Sequence, residues 1–168
     1  FTIDNNLLKN FSPRMALSWS ISQDNRWKLN FAAGRYFKIP TYTILGFKDL
    51  NNNFINNDSK YTRSDHLVFG IEYNNSESSR FSIEAFNKKY LNYPISVNDM
   101  VSLANKGGDF EVLGNENVST SGRGRSYGIE FLYQQKLKNN FYGILSYTFF
   151  YSKFSGFDQV FLPSVWDN

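Results

Sequence analysis

The 168 residues contain no cysteine, two methionines, four prolines and one histidine. Without Cys there is no disulfide scaffold, no thiol nucleophile and no Cys-built zinc site, and the redox compartment stays open. No run approaches the ~18 apolar residues of a membrane-spanning helix. The chain begins at Phe1, and no basic stretch leads into an apolar one, so the expectation is a chain without a signal peptide, either processed or cut from something longer. Charge of one sign is also scarce: the net charge of +3 is too weak by itself to imply nucleic acid. What abounds is aromatic, with 17 Phe and 11 Tyr and an aromatic share of 18%. Aromatic side chains fit a pleated surface, which favours strands. The mean hydropathy of −0.46 leaves the membrane open, because a transmembrane barrel alternates apolar and polar residues.

Period-2 alternation marks six strands. Met15, Leu17, Trp19 and Ile21 alternate with small residues; Ser22-Gln23-Asp24-Asn25 supplies turn chemistry, and Trp27, Leu29, Phe31 and Ala33 follow. Leu67, Phe69, Ile71 and Tyr73 form a third strand, joined through Asn74–Ser79 to Phe81, Ile83 and Ala85. Tyr127, Ile129, Phe131 and Tyr133 form a fifth, joined through Lys138-Asn139-Asn140 to Leu145, Tyr147 and Phe149. Phe150 blurs the polar side of the sixth.

The connections alternate in length. Three are short and polar; the other two run over about 36–64 and 91–125 and hold Pro40, Asn51-Asn52-Asn53, Pro94, Gly107-Gly108, Gly122 and Gly124. Structureless loops of that length count against a compact soluble domain. In a transmembrane barrel they are expected, with short turns on the periplasmic side and long loops outside. The polar faces agree: Gly70-Ile71-Glu72, Ser82-Ile83-Glu84 and Gly128-Ile129-Glu130 each set a Glu opposite the apolar side, where a wet lumen hydrates it. Trp27, Tyr73, Tyr90, Tyr93, Tyr127 and Tyr133 suit interfacial girdles. Six strands are too few to close a bacterial barrel, and a bilayer does not tolerate free sheet edges. The expected fold is therefore all-β: an antiparallel up-and-down meander of about six strands, a segment of a large transmembrane β-barrel.

Several stretches resemble the barrel portion of TonB-dependent outer-membrane receptors. Phe11-Ser12-Pro13-Arg14 resembles the Pro-Arg pair that opens a strand in that family. Gly34-Arg35-Tyr36-Phe37-Lys38-Ile39-Pro40 resembles its Gly-Arg-aromatic exit toward a loop, and Gly124-Arg125-Ser126-Tyr127-Gly128-Ile129-Glu130 its "G-x-S-x-G-x-E" strand opening. Tyr147-Thr148 with Ser152 is similar to the "Y-T-x-S" strand close, and Pro163–Asn168 to the start of a loop leading to another strand. The resemblance spans nearly the whole chain, in order. It implies, for the parent protein in the outer membrane of a Gram-negative bacterium, import of a scarce ligand (a metal chelate, cobalamin or an oligosaccharide) with energy supplied through TonB. The implied partners are outer-membrane lipid and lipopolysaccharide, the rest of the barrel with its plug, and TonB. Nothing in residues 1–168 resembles the plug or the TonB-contacting box, so the expectation is a partial barrel with the plug domain absent.

Site chemistry is sparse. His66 beside Asp65 lacks further ligands at metal-site spacing. Asp99, Asp109, Glu111 and Glu116 offer oxygens for calcium without the EF-hand pattern. No metal and no cofactor are expected. Gly122-Arg123-Gly124-Arg125 is neither a P-loop nor a dinucleotide fingerprint, and its Arg side chains suit lipopolysaccharide phosphates or an anionic ligand. No Ser sits in a nucleophile elbow leading into a helix, the lone His has no evident nucleophile, and a pair such as Glu72 and Glu84 shows no cleft, so no enzyme is expected. Basic and aromatic loop residues match no RNA-binding motif, and Asn117-Val118-Ser119 matters only in a glycosylating pathway. Ligand contact falls to Tyr42, Arg63, Tyr93, Arg123 and Arg125, whose types suit stacking and anion pairing. Two rival readings stand beside this one. The first is a soluble all-β module that binds carbohydrate through aromatics. The second is a complete small barrel, which needs two more strands.

Overall fold

A computed structural model describes residues 10–107 and 112–167. Seven strands follow one another in space as in sequence: β1 Arg14–Ser20, β2 Trp27–Lys38, β3 Thr62–Ser76, β4 Ser79–Ser96, β5 Val118–Lys138, β6 Phe141–Ser155 and β7 Phe161–Pro163. All neighbours are antiparallel, and one four-residue helix, α1 Tyr42–Leu45, lies in the connection after β2. The sheet is a meander that does not close on itself. The expected six strands are all present, and the short β7 is a seventh that the alternation does not reveal.

The turns at one end are tight for local reasons. Asn139 and Asn140 both take positive φ (52° and 61°), the pair of left-handed residues that a two-residue hairpin needs to match strand twist. Between β1 and β2, Asn25 turns at φ 55°, Ser22 Oγ accepts from the Trp27 amide at 3.0 Å, and Asp24 accepts from the Arg26 amide at 3.2 Å.

At the other end the strands run further than the hydropathy pattern. β4 has 18 residues and β5 has 21, against the ~9–11 that cross a bilayer. Residues 91–96 and 118–125, expected in a loop, are paired strand, so the long connections are 39–61 and 97–117. The reason is physical: past the hydrocarbon both faces of a strand are wet or covered by loops, so alternation disappears while backbone pairing continues. Two register shifts, between Leu91 and Tyr93 and between Tyr93 and Ile95, interrupt that extension. Asn92 (φ 56°) sits in the first, and Pro94, which has no amide to donate, in the second.

The register sorts the side chains into two faces. On one, Trp19, Leu29, Ile71, Ile83, Phe131 and Tyr147 form a row across six strands. The next row is Leu17, Phe31, Phe69, Ala85, Ile129 and Phe149. Leu67, Phe69, Ile71, Ile83 and Ile129 are each 41–53% exposed, and no second layer among the described residues covers them. A sandwich would bury this face against another sheet; a barrel wall turns it to lipid.

Candidate functional site

The opposite face carries the polar chemistry. Ser18, Asn30, Gly70, Glu84, Glu130 and Thr148 share one row, so Glu84 and Glu130 stand directly opposite each other on adjacent strands. Gly70 makes room for the first: a Cβ there would stand 2.9 Å from Glu84 Cγ. Like charges so placed oppose pairing, and neither Glu has an ion-pair partner among the described residues. The facing carboxylates are thus Glu84 and Glu130, rather than Glu72 and Glu84. Glu72 lies in the next row on this face, opposite Lys28 and Ser82, within 3.7 Å of both the Lys28 ammonium and the Arg80 guanidinium.

The G-x-S-x-G-x-E stretch at 124–130 acquires a structural meaning. Gly124, Ser126, Gly128 and Glu130 all face this polar side of β5. A Cβ on Gly124 would lie 2.2 Å from the Phe154 ring, and one on Gly128 would lie 2.5 Å from Phe150 Cβ. Gly124 is a notch for the Phe154 ring, and Gly128 lets the β6 backbone at Phe149 and Phe150 approach closely, beside the Phe150 that breaks the alternation. Ser126, between them, is mid-strand and buried, with its hydroxyl 2.7 Å from that of Ser152.

At the outer end, the long connections fold into one another over this face. Asn56, 1% exposed, donates to the carbonyls of Ile44 and Glu116 at 2.8 Å each and accepts from the Val118 amide at 3.1 Å. It thereby ties connection 39–61 to connection 97–117. Ile44, Leu103 and Val118 form a small buried cluster beside it. Lys106 reaches Asp99 at 2.6 Å and Glu116 at 2.7 Å, and Glu116 also accepts from the Ser96 hydroxyl. Asp99 is held below the usual carboxylate range, chiefly by the Lys106 hydrogen bond, and Lys106 is raised by Asp99 and then Glu116. Asn105 donates to the carbonyls of Leu162 and Pro163, and Asp167 accepts from the Ser152 amide, so the segment after β6 joins the same layer.

The expected site residues do not gather in one place. Tyr42 opens α1 and is 84% exposed. Tyr93, turned by the shift at Asn92, packs on the polar side with its ring 4.4 Å from Phe154 and 6.2 Å from Tyr90. Its burial raises its hydroxyl above the usual tyrosine value. Tyr90, opposite Gly124, is on that side too. These two tyrosines are therefore not girdle residues of the greasy face, whereas Trp27, Tyr73, Tyr127 and Tyr133 share the rows of that face. Arg63, Arg123 and Arg125 sit on strands, at positions continuous with the greasy face. Arg63 pairs with Asp65 at 2.5 Å, and Arg125 lies over the Phe161 ring at 4.8 Å. His66, on the polar side, is 2.6 Å from the Ser64 hydroxyl and against the Tyr36 ring. Among the described residues no three His, Asp or Glu side chains converge as metal ligands; Asp109 and Glu111 lie outside the described residues.

An open meander with one greasy, uncovered face, one glutamate-bearing face and long connections at a single end is the arrangement of a piece of barrel wall. The model of the family described as TonB dependent receptor-like, beta-barrel matches residues 1–165. The chain belongs to that family. No curated protein matches it. Members of the TonB-dependent receptor family are transporters in the outer membrane of Gram-negative bacteria. In a TonB-dependent receptor the two faces take their names: the rows of Ile71 and Phe69 are the lipid side, and those of Glu84 and Ser126 the lumen side. What sequence reasoning missed is Asn56. Its only signal was an Asn-rich loop, and its role depends on contacts some sixty residues away.

Proposed function

We propose that this segment forms wall and outer mouth of an outer-membrane importer that takes up a scarce ligand, such as a metal chelate, cobalamin or an oligosaccharide, with energy delivered through TonB. The observation that carries the reading is the family match combined with a greasy face left uncovered while the opposite face bears Glu72, Glu84 and Glu130. Coupling to TonB is assigned to no residue of this chain. Ligand capture falls to the outer layer, with Tyr42 as the most available contact and Tyr93, in its aromatic group with Tyr90 and Phe154, lining the lumen below. Aromatic surfaces at a pore mouth suit stacking on a chelate or a sugar ring.

The test is uptake by cells carrying the full receptor with Tyr42→Ala and Tyr93→Ala together. Uptake of the cognate ligand should fall at least several-fold while the protein stays in the outer-membrane fraction. Unchanged uptake removes the contact assignment. A protein that behaves as a monodisperse monomer without detergent removes the membrane reading and favours a soluble binding module.

A further inference from the structure

The lumen face is sorted by charge along the strands. Glu72, Glu84 and Glu130 lie in rows toward the short-turn end, and beyond Glu84 and Glu130 no strand position of β1–β6 in these rows is acidic. The second row beyond them holds Arg14, Gly34, His66, Lys88, Ser126 and Ser152, roughly 13 Å further along the wall. Lys38 follows two rows higher. No carboxylate pairs with Arg14, Lys38 or Lys88 among the described residues. Asp167, which reaches the Ser152 end of the row, accepts from the Ser152 amide.

At the Arg14 end this row is hollowed. Ala16, Ala32 and Gly34 offer almost no side chain, and with Arg14, Tyr36 and His66 they line an open recess of about 340 Å³. Tyr36 lies folded back along the wall, where a glycine leaves it room: a Cβ on Gly34 would stand 3.0 Å from the Tyr36 ring. The Arg14 guanidinium sits over that ring at 4.3 Å, and the His66 ring, held by the Ser64 hydroxyl, lies 4.6 Å from it. Lys88 stands directly opposite His66 on the next strand. The volume discriminates between occupants. A single carboxylate side chain from the material that fills the barrel would leave most of the recess empty, whereas 340 Å³ is at the small end of ligand pockets. Its level agrees, since the next row carries Tyr90 and Phe154 at the end that bears the long connections. A ligand entering from outside meets the recess before it meets the glutamates.

We propose, resting on the import reading, that the recess bordered by Arg14, Tyr36, His66 and Lys88 binds an oxyanion of the imported ligand, a carboxylate or a phosphate. The ligand, chelate or saccharide, is then acidic: Arg14 and Lys88 pair with its charged group while Tyr36 stacks on the part beside it. The glutamate rows further in repel the same group, which makes the recess a stopping place on the way through.

The experiment uses the full receptor purified in detergent and titrated with two pairs of probes that differ in charge: trigalacturonate against galactotriose, and ferric citrate against a neutral ferric trihydroxamate. The acidic member of one pair should bind at least about tenfold tighter than its neutral counterpart, and the pair that responds tells saccharide from chelate. Arg14→Gln/Lys88→Gln should bring the two members within about twofold, whereas Lys88→Arg should keep the preference. Heat-modifiable migration on a gel reports that each barrel is folded, and Lys88→Gln alone, with a preference reduced several-fold, replaces the double variant if that one fails. A parent receptor that prefers neither acidic probe, or a Gln variant that keeps the full preference, overturns the proposal. A preference kept while the contents of the barrel become open to trypsin overturns it in favour of a protein carboxylate at the recess. Energy-dependent uptake by cells carrying the parent receptor is measured in parallel, so failure of the import reading is seen separately from failure of the oxyanion site.

Discussion

The wall and the outer layer of this segment are held together differently. In the wall, strands β2–β6 are joined by backbone ladders, and the side chains of the lipid face touch little of the protein: Ile83 and Ile129 remain about half exposed. In the outer layer, side chains do the joining. Asn56 links segments some sixty residues apart, Lys106 braces connection 97–117 from within, and Ile44, Leu103 and Val118 are almost fully buried. The wall takes its apolar partner from the bilayer, while the outer layer, surrounded by water, makes a small core of its own. Damage to one should therefore be read out separately from damage to the other.

The largest separation is expected from charge placed on the two faces of neighbouring strands. Ile129→Arg puts a guanidinium on the lipid side near mid-wall and should cost roughly 2–4 kcal/mol of barrel stability in lipid. Thr148→Arg, opposite Glu130 on the lumen side, should cost little and can help by meeting the two facing carboxylates. Denaturant unfolding in vesicles measures both, and equal costs would erase the distinction between faces. A smaller effect belongs to the outer layer. Asn56→Ala leaves two carbonyls and one amide without their partner and should loosen the connections by about 1–3 kcal/mol. Hydrogen exchange should then rise in 39–61 and 97–117 while the amides of β3 and β6 stay protected. The smallest effect is in pH. Asp99 is lowered in the folded protein, so its contribution is present above its ordinary value of 3.8 and is lost only as the pH falls below that through its folded value. Lys106 is raised, so its contribution is complete below 10.5 and is lost only as the pH climbs through its folded value above that. Protection of connection 97–117 should consequently be level across neutral pH, and a step near pH 6 or 7 would show that another group governs it.

The same division decided what the sequence disclosed. Where one face meets hydrocarbon, composition must alternate, and Leu67–Tyr73 and Tyr127–Tyr133 announced strand, face and partner together. Above that level nothing enforces alternation. The pairing of Lys89 with Arg125, the shift at Asn92 that swings Tyr93 to the lumen side, and the inward aim of Tyr90 were therefore not readable. The three arginines expected near a ligand were legible as rim residues, but their side of the wall was set by register, which loop composition does not encode. Asn56 looked like any loop asparagine because its partners are far off in sequence. The brief β7, with three residues, is too short for a period to be counted.

The glycine notches on β5 have a consequence for assembly. The Phe154 ring meets Gly124, and the β6 backbone at Phe150 closes on Gly128, together in one alignment only. Sliding β6 by two positions drives Phe154 onto Ser126 or onto Gly122, where the Tyr93 backbone already fills the space. Sliding it by four leaves one ring over a glycine and the other against Leu132 or Thr120. The last hairpin thus works like a key with two cuts: a nascent barrel zipping in the wrong phase meets a collision at one ring or the other before the misalignment can spread.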